Sequence, residues 1–278
     1  MRFGFHVSIS GGFGKIVARA RERQCETIQI FSRNPRAWKY RPLDKHGVSE
    51  FIEDTKKHDI RPVFVHMPYL VNLASNDKSL FERSVSSLAV GLKRCARIDA
   101  PFLILHVGSS PDPARGLEQM SRGICQALKK APNNVMLLLE NTAGSGNELG
   151  HDFVQLRAIF DNVEHNDRLG FVFDTAHAFA AGYDLRTREA VCKTISEFDG
   201  IIGLHRLCLI HLNDSKTGRG SRRDRHWHIA KGKIGRGLAH ILQHEGLQHL
   251  PFIMETPRND AKEDRMNMRM AKRLARHL

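Results

Sequence analysis

The residues with the clearest capacity for chemistry lie where an apolar run gives way to an acid and then to an imidazole. The run from Leu169 to Phe173 is typical of a strand buried on both faces, Asp174 follows it directly, and His177 lies three residues further on. Carboxylate and imidazole groups together bind divalent metal ions. Taken alone, however, the segment is better explained by a buried acid beside a hydrogen-bonded histidine. A metal site is indicated only if the pattern recurs.

The pattern does recur, at the ends of five other apolar runs. Each run is closed or followed by a histidine or a carboxylate, so six consecutive predicted strands present a side chain that can bind metal. Six such residues in register are hard to explain as separate core histidines and capping acids. The sequence therefore predicts a site for several metal ions, formed by His66, His106, Glu140, Asp174, His211 and Glu255.

Short apolar, β-branched runs alternate with segments of helical period along the whole chain. We predict strands at Phe3 to Ile9, Thr27 to Phe31, Pro62 to His66, Phe102 to His106, Val135 to Glu140, Leu169 to Asp174, Leu207 to His211 and Pro251 to Glu255. We predict helices at Phe13 to Gln24, Val48 to His58, Lys78 to Ile98, Ala114 to Lys130, Phe153 to Phe160, Arg188 to Ile202, Gly237 to His244 and Glu263 to Arg276. Strands that each precede a helix indicate an α/β protein with the (β/α)8 architecture of a TIM barrel, and an open doubly wound sheet is the main alternative.

Length and composition favour one domain in the cytoplasm. The chain has 278 residues, of which 41% are hydrophobic and 26% charged, so residues 1–278 are expected to form a single barrel. No apolar run approaches the ~20 residues of a membrane span, and the N-terminus becomes polar too early for a signal peptide. The five cysteines are widely spaced without a CxxC pair, which indicates reduced thiols. Any metal must then be bound by imidazole and carboxylate.

The charge of the chain predicts an anionic partner. Its 43 Lys and Arg against 30 Asp and Glu give a net charge of +13, which favours nucleic acid. The predicted loop from Ser32 to Arg41 interleaves basic and aromatic residues, and such a loop can pair with phosphates and stack on bases. As an alternative, its Trp38 packs down onto a helix. The loop is therefore a candidate DNA contact.

A second long loop, from Asn213 to His228, follows the run that ends at His211. In an extended stretch Asp224, His226 and His228 would share one face and form a further chelating set. The segment Lys231 to Gly235 follows it and could offer a phosphate group flexible backbone and two ammonium groups. That second motif is weak on its own.

Taken together, these residues resemble endonuclease IV, a family of zinc-dependent apurinic/apyrimidinic endonucleases. The resemblance runs from His6-Val7-Ser8 to Glu255-Thr256-Pro257. Its most specific motifs are Leu139 to Gly144, Asp174 to Asp184, His211 to Lys216 and Asp224-Arg225-His226. It implies a TIM barrel with three zinc ions (Zn2+) per chain, whose nine ligands fall here on His66, His106, Glu140, Asp174, His177, His211, Asp224, His226 and Glu255.

The resemblance also implies a DNA repair reaction. The phosphodiester 5′ to an abasic site in double-stranded DNA would be cleaved by a three-zinc, metal-hydroxide mechanism, leaving a 3′-hydroxyl and a 5′-deoxyribose phosphate. Glu140 would be the catalytic residue because it bridges two ions. By this resemblance one ion is held by His66, His106 and Glu140, the second by Glu140, Asp174, His211 and Glu255, and the third by His177, Asp224 and His226.

Lesion recognition in the family comes from two loops that penetrate the duplex, and the matching residues here are Arg36, Tyr69 and Leu70. The protein is expected to act as a monomer and to need no membrane. The chain departs from the family at Ala230, where glycine is usual, and in an arginine-rich segment from Arg219 to Arg225. Ala230 bears on the shape of the neighbouring candidate phosphate loop.

Two other functions fit parts of the sequence. A sugar isomerase or epimerase could use the same barrel with one or two metals, but it has no need of the third ligand cluster, the +13 charge or the loop from Arg33 to Arg41. A non-catalytic DNA-binding protein could carry structural metals, but structural zinc sites are closed and four-coordinate, whereas three-ligand sites leave positions open. The native metal is open as well, because imidazole and carboxylate ligands also accept Mn2+.

Overall fold

Eight parallel strands close into a barrel in the computed structural model of the chain, which describes residues 1–164, 166–257 and 261–276. The last barrel strand returns to pair with the first. This closure excludes the open sheet and confirms the predicted TIM barrel. The barrel strands are β1 (Arg2–Val7), β2 (Thr27–Phe31), β3 (Val63–His66), β4 (Phe102–His106), β5 (Met136–Glu140), β6 (Leu169–Asp174), β7 (Leu207–His211) and β10 (Pro251–Met254), while β8 (Asp214–Ser215) and β9 (His226–Trp227) form a separate antiparallel ribbon.

Helices surround the barrel, and most of the long ones start at a side chain that caps them. The α-helices are α1 (Ile16–Glu22), α2 (Lys45–Lys57), α3 (Lys78–Arg97), α4 (Pro113–Lys130), α5 (Phe153–Asp161), α6 (Thr175–Ala181), α7 (Arg188–Ile201), α8 (Leu238–Leu242) and α9 (Ala261–Arg276). Short 3-10 helices lie at Phe13–Lys15, Asn166–Arg168, Leu204–Arg206, Gly235–Gly237 and Glu245–Leu247. Asp77, Asp112 and Asp152 each accept a hydrogen bond from the backbone N–H three residues later, which satisfies a donor of the first turn. Among the described residues, we find no helix of the length and apolarity that a bilayer crossing requires.

Two of the differences from the sequence prediction arise from helix caps. Helix α2 begins at Lys45 rather than at Val48, because Asp44 caps it by accepting a hydrogen bond from the backbone N–H of Gly47. Helix α6 was not predicted at all. Its cap is Asp174, the last residue of β6, whose Oδ1 accepts a 2.7 Å hydrogen bond from the backbone N–H of His177. Strand and helix are therefore consecutive, and the helix fixes the direction of His177.

The interior of the barrel is a layer of apolar side chains, one from each of six strands. Side chains alternate along a strand, so the residue two positions after an interior residue also points inward. In every one of the six strands that second position is a predicted ligand at or just beyond the strand end. The apolar layer thus forms the floor beneath the polar residues, and it consists of Phe64, Ile104, Leu138, Val172, Leu209 and Ile253.

Ala230 adopts a left-handed backbone conformation, with φ of +60°. This region costs an L-residue about 1–2 kcal/mol and costs glycine almost nothing. We expect Ala230→Gly to raise the free energy of unfolding, by about 0.5–1 kcal/mol after the larger entropy loss of glycine, as measured by denaturant unfolding. As a control, Ala158→Gly within α5 should lower stability by up to about 1 kcal/mol. A destabilised Ala230→Gly protein would show that the loop tolerates this strain without cost.

Candidate metal centre

The first group of possible ligands lies at the C-terminal ends of β3, β4 and β5. His66, His106 and Glu140 each bring one ligand atom to within 4.8 Å of the others. Glu140 Oε2 lies 3.1 Å from His66 Nε2 and 3.2 Å from His106 Nε2. The barrel thus brings together three residues that are 40 and 34 positions apart in the chain.

The second group surrounds His211 at the end of β7. Its Nδ1 lies 2.8 Å from Glu140 Oε1, 3.4 Å from Glu255 Oε2 and 3.8 Å from Asp174 Oδ2. Glu255 follows the last residue of β10 directly. Glu140 therefore belongs to both groups, with one carboxylate oxygen directed at each.

The third group joins helix α6 to the β8–β9 ribbon. His177 Nε2 and His226 Nε2 are 3.2 Å apart, and Asp174 Oδ2 lies 3.5 Å from His226 Nε2. Asp224 Oδ1 lies 3.3 Å from the first of these nitrogens and 3.5 Å from the second. The family resemblance assigned Asp224 to this group, and the geometry places Asp174 beside it as well.

The separations within the first and third groups fit ligands around a shared ion. Two atoms that bind one zinc ion at ~2.1 Å with tetrahedral angles lie ~3.4 Å apart. The carboxylate-to-imidazole separations of 3.1 and 3.2 Å in the first group and of 3.3 and 3.5 Å in the third are near that value. Direct charge-assisted hydrogen bonds would be nearer ~2.8 Å. The spacing is therefore suited to a divalent cation.

The tautomers of two imidazoles place a lone pair against a carboxylate. His66 Nδ1 lies 2.7 Å from the Met67 carbonyl, and His177 Nδ1 lies 3.0 Å from the Asn141 carbonyl. A carbonyl oxygen only accepts, so each Nδ1 must carry the hydrogen, and the other nitrogen of the neutral ring has a lone pair. These lone pairs face carboxylate oxygens, which also only accept. A cation or an added proton must lie between them.

A metal ion at this centre would replace protons on the imidazoles. Glu140 is fully buried, and its ion-pair partners among the described residues are imidazoles. Burial by itself would raise the pKa of Glu140, but the imidazoles of His211 and His106 outweigh it and hold the pKa well below its ordinary value. Burial would lower the pKa of His211, but Glu140 and Glu255 outweigh that effect and raise the pKa to about 9. Protons on the imidazoles thus neutralise the carboxylates where metal is absent.

Metal retention should therefore depend on pH. The pKa of His106 and that of His177 are also raised, because nearby carboxylates outweigh the effect of burial. A protonated imidazole cannot bind metal, so protons compete with metal below about pH 9 and compete more strongly as the pH falls. We expect a chelator to remove metal much faster at about pH 6 than at about pH 9, measured by absorbance of the metal–chelator complex. Equal release rates at the two pH values would contradict the imidazole assignment.

His228 does not join the third group. It lies on the opposite side of the β9 segment, where Nδ1 is 3.1 Å from Asn267 Nδ2 and Nε2 is 3.9 Å from Glu263 Oε1. The expectation that Asp224, His226 and His228 share one face is therefore wrong for His228. The extended conformation ends at Trp227, and the chain then turns toward helix α9.

The loop from Ser32 to Arg41 is only partly available to a ligand. Arg33 is 6% exposed and donates to the Trp38 carbonyl at 2.9 Å and to Ser87 Oγ on α3. Trp38 packs against the core, with the guanidinium of Arg83 on α3 4.4 Å from its ring centroid. The alternative prediction, that Trp38 packs onto a helix, is therefore the correct one. Arg36, in contrast, is exposed at the loop tip. Only the exposed basic residues of the loop can therefore pair with phosphates as predicted.

The other predicted recognition residues lie beside the first group. Tyr69 is 72% exposed, and its ring centroid is 6.2 Å from that of His66 and 6.3 Å from that of His106. The neighbouring Leu70 is half-buried. Tyr69 is therefore not a core residue, and its ring stands at the entrance to the centre.

The segment Lys231 to Gly235 already has an anion bound to its backbone. The buried Asp214 carboxylate accepts hydrogen bonds from the N–H groups of Gly232 at 2.8 Å, Ile234 at 3.0 Å and Gly235 at 3.1 Å. These donors are thus satisfied within the chain, and the interpretation that this backbone binds phosphate is wrong. Lys231 and Lys233 are exposed, and the ammonium group of Lys231 contacts only the weak acceptor Met266 Sδ, at 3.0 Å, among the described residues.

Two asparagines that the sequence analysis did not consider hold the ligands in place. Asn141 Oδ1 accepts from the backbone N–H of Asp174 at 2.7 Å. Asn213 Nδ2 donates to Asp174 Oδ2 at 2.7 Å, and its Oδ1 accepts from the backbone N–H of Glu255 at 2.8 Å. Each asparagine follows a strand-end ligand within two residues, which is the signal that could have indicated them. Such outer contacts orient metal ligands.

Comparison with known proteins places this geometry in a family. A family model described as "Xylose isomerase-like TIM barrel" matches residues 17–275. A "Probable endonuclease 4" of Methanoculleus marisnigri is 44% identical over 276 residues, covering 98% of each chain, and one of Nitrosopumilus maritimus is 42% identical over 99% of this chain and 100% of its own. The crystal structure of endonuclease IV from Thermus thermophilus superposes with a TM-score of 0.90 at 36% identity, covering 99% of this chain and 98% of that one.

Fold and rim together define a TIM barrel with a set of carboxylate and imidazole groups suited to metal ions. The chain belongs to the endonuclease IV family. It is accordingly a nuclease, a hydrolase of phosphodiester bonds, and the resemblance seen in the sequence is confirmed. The alternatives of a sugar isomerase or epimerase and of a non-catalytic DNA-binding protein do not fit membership of a nuclease family.

Proposed function

We propose that the protein incises duplex DNA on the 5′ side of abasic sites, with three zinc ions, and leaves a 3′-hydroxyl and a 5′-deoxyribose phosphate. The observation that carries the proposal is the linkage of three ligand groups into one centre. Glu140 belongs to the first and second groups, and Asp174 to the second and third. A reaction at phosphorus needs positive charge on the attacking, non-bridging and leaving oxygens at once, and adjoining cation sites meet that need.

The ligands divide among the ions as the family resemblance implies. Bound zinc would act as a Lewis acid on the phosphate and lower the pKa of water, so that water can attack phosphorus at neutral pH. Glu140, with its two oxygens 3.1 Å and 2.8 Å from imidazoles of different groups, would hold two cations at a short distance. Asp174 is available to the third ion alongside Asp224. The proposed ligand sets are His66, His106 and Glu140; Glu140, Asp174, His211 and Glu255; and His177, Asp224 and His226.

Recognition of the lesion is assigned to Arg36, Tyr69 and Leu70. Tyr69 stands beside the first ligand group with 72% of the residue exposed, and Pro68 stiffens the backbone before it. An abasic site leaves a gap in the base stack, and a ring or an aliphatic side chain can fill that gap without separating an intact pair. Selectivity for the lesion follows from this lower cost of insertion.

Binding to DNA should weaken steeply with salt. The exposed cations Lys216, Arg222 and Lys231 lie on segments next to the centre, and neutralising about six phosphates in all would reduce affinity by about 10³ between 50 and 200 mM salt. Fluorescence anisotropy with an abasic duplex at a series of salt concentrations measures this slope. An affinity that does not change with salt would argue for a small, weakly charged substrate.

The proposed function is tested by metal analysis and nicking on one sample. The purified chain should contain close to three zinc ions by plasma mass spectrometry, and it should cut an end-labelled duplex at a single abasic site but not the matched intact duplex. A DNA polymerase should extend the nicked product, because extension requires a 3′-hydroxyl. A fully loaded protein that leaves the abasic strand uncut, or that yields an end the polymerase cannot extend, would refute the proposal.

A further inference from the structure

Gln29 is a buried polar residue within the apolar strand β2, and it lies inside the barrel rather than at its rim. Its register partner on β3 is Phe64, which belongs to the interior floor, so Gln29 enters the barrel at floor level. A fully buried amide needs partners for both of its hydrogens and for its oxygen. Strand β2 supplies no predicted ligand, so Gln29 is the polar residue that this strand contributes beneath the centre.

All of its hydrogen-bonding capacity is directed at the second ligand group and at one histidine next to it. Gln29 Nε2 lies 2.6 Å from Glu255 Oε1 and 2.9 Å from His6 Nδ1, and Gln29 Oε1 lies 2.7 Å from His211 Nε2. His6 lies on the neighbouring strand β1, where it is the register partner of Gln29, whereas Glu255 follows β10 and His211 ends β7, so two of the three contacts span strands that do not pair with β2. One side chain thus touches two proposed ligands of the same ion.

The network fixes which end of the amide faces which ligand. A carboxylate only accepts hydrogen bonds, so the group 2.6 Å from Glu255 must be the amide NH2. The amide oxygen then faces His211 Nε2, which must carry a hydrogen. His211 is therefore left with Nδ1 as its ligand nitrogen, and Nδ1 is the atom that faces Glu140, Asp174 and Glu255. Glu255 is likewise left with Oε2 directed at that nitrogen.

We propose that Gln29 is a positioning residue for the second metal ion, selecting the tautomer of His211 and the free oxygen of Glu255. The inference rests on the proposed metal centre and assigns to it a residue outside the nine ligands. It predicts that removing the amide weakens the binding of the second ion and leaves the binding of the other two unchanged. The reason is that the first and third groups have no hydrogen bond to Gln29 among the described residues.

The test is metal release from Gln29→Met, which keeps an unbranched side chain but cannot hydrogen-bond to either ligand. Zinc-loaded wild type and variant are mixed with a colorimetric chelator, and release is followed per chain. We expect about one third of the metal to leave some 10–100-fold faster in the variant, with the remainder unchanged, as is typical when an outer partner of a metal ligand is removed. Gln29→Glu keeps an acceptor for His211, but its carboxylate repels that of Glu255. This variant should therefore also accelerate the release of one ion only.

Thr27→Val is the matched control. Thr27 is buried in the same strand, and its hydroxyl donates to the Pro62 carbonyl at 2.6 Å without contact to the centre. Thr27→Val should lower the free energy of unfolding and leave the rate of metal release unchanged. The inference would be overturned if both Gln29 variants released metal at the wild-type rate, if all of the metal left faster to the same degree, or if neither variant folded. Gln29 would then be only a residue of the barrel interior. Because no DNA is present, these outcomes are separate from a loaded wild type that fails to cut abasic DNA, which would refute the proposed function instead.

Discussion

Glu140→Gln is expected to reduce incision of abasic DNA by at least about 1000-fold while the barrel remains folded. The carboxylate is the one proposed ligand shared by the first and second groups, with Oε2 directed at His66 and Oε1 at His211. An amide removes the negative charge and directs an NH2 group at one of the two cation positions. Losing the charge that holds two cations together costs several kcal/mol of transition-state stabilisation, and each 1.4 kcal/mol is about tenfold in rate.

The fold should survive because glutamine has almost the same shape as glutamate. Glu140 packs in the barrel without bonds to lysine or arginine among the described residues, so no ion pair of the scaffold is lost. Glu26→Gln, at the opposite end of the barrel where the carboxylate accepts from the backbone N–H of Phe3, is the matched control and should cut normally. Nicking rate, zinc content and circular dichroism are measured on all three proteins. Near-normal cleavage by Glu140→Gln with full metal content would show that Glu140 does not bridge two metal ions.

The double substitution Tyr69→Ala with Arg36→Ala is expected to separate lesion recognition from phosphodiester chemistry. Incision at an abasic site should fall by about 100-fold or more, because neither a ring nor a guanidinium then occupies the gap in the stack. Hydrolysis of a small activated phosphodiester should be nearly unchanged, since the proposed ligands are intact. Melting temperature and zinc content should also stay near wild type, because Tyr69 is 72% exposed and Arg36 lies at a loop tip.

Tyr69→Phe is the control for this experiment. It keeps the ring and removes only the hydroxyl, so stacking predicts an incision rate close to that of wild type. Loss of metal or of folding in the double variant would show that these side chains support the structure, and unchanged incision would remove the wedge role altogether. An equal loss on abasic DNA and on the small phosphodiester would mean that Tyr69 supports His66 or His106, whose rings lie next to it.

Much of the fold was predictable because its signals are local. A strand buried on both faces is an unbroken apolar run, and a helix start is a capping Asp or Thr, so most predicted elements agree with the observed ones to within a few residues. The position of the candidate ligands was predictable for a related reason. Period-two alternation places the residue after next on the same face, so an interior Leu138 brings Glu140 inward and an interior Leu209 does the same for His211.

Loops were harder to predict because their side chains meet partners that are distant in sequence. Arg33 lies in the loop that was expected to pair with phosphates, yet it is buried and donates a hydrogen bond to Ser87 of α3. His228 continues an alternating pattern on paper, but Asn267 of α9 engages it on the other side. The N–H groups of the Lys231 to Gly235 segment were expected to be free, but those of Gly232, Ile234 and Gly235 are satisfied by Asp214, 18 positions before Gly232. Local pattern has no means to reveal such contacts.

The sequence by itself determined the barrel, six candidate ligands at strand ends and the excess of positive charge, because alternation, capping and composition act within one segment or over the whole chain. The full set of nine candidate ligands came from the resemblance to the endonuclease IV family. Only the tertiary structure decided which residues touch. Barrel closure brings Gln29 of β2 against Glu255, 226 positions away, and against His211, 182 positions away. The sequence shows a glutamine in an apolar strand, whereas the closed barrel supplies its partners, since a buried amide must bond to whatever polar groups the opposite strands present.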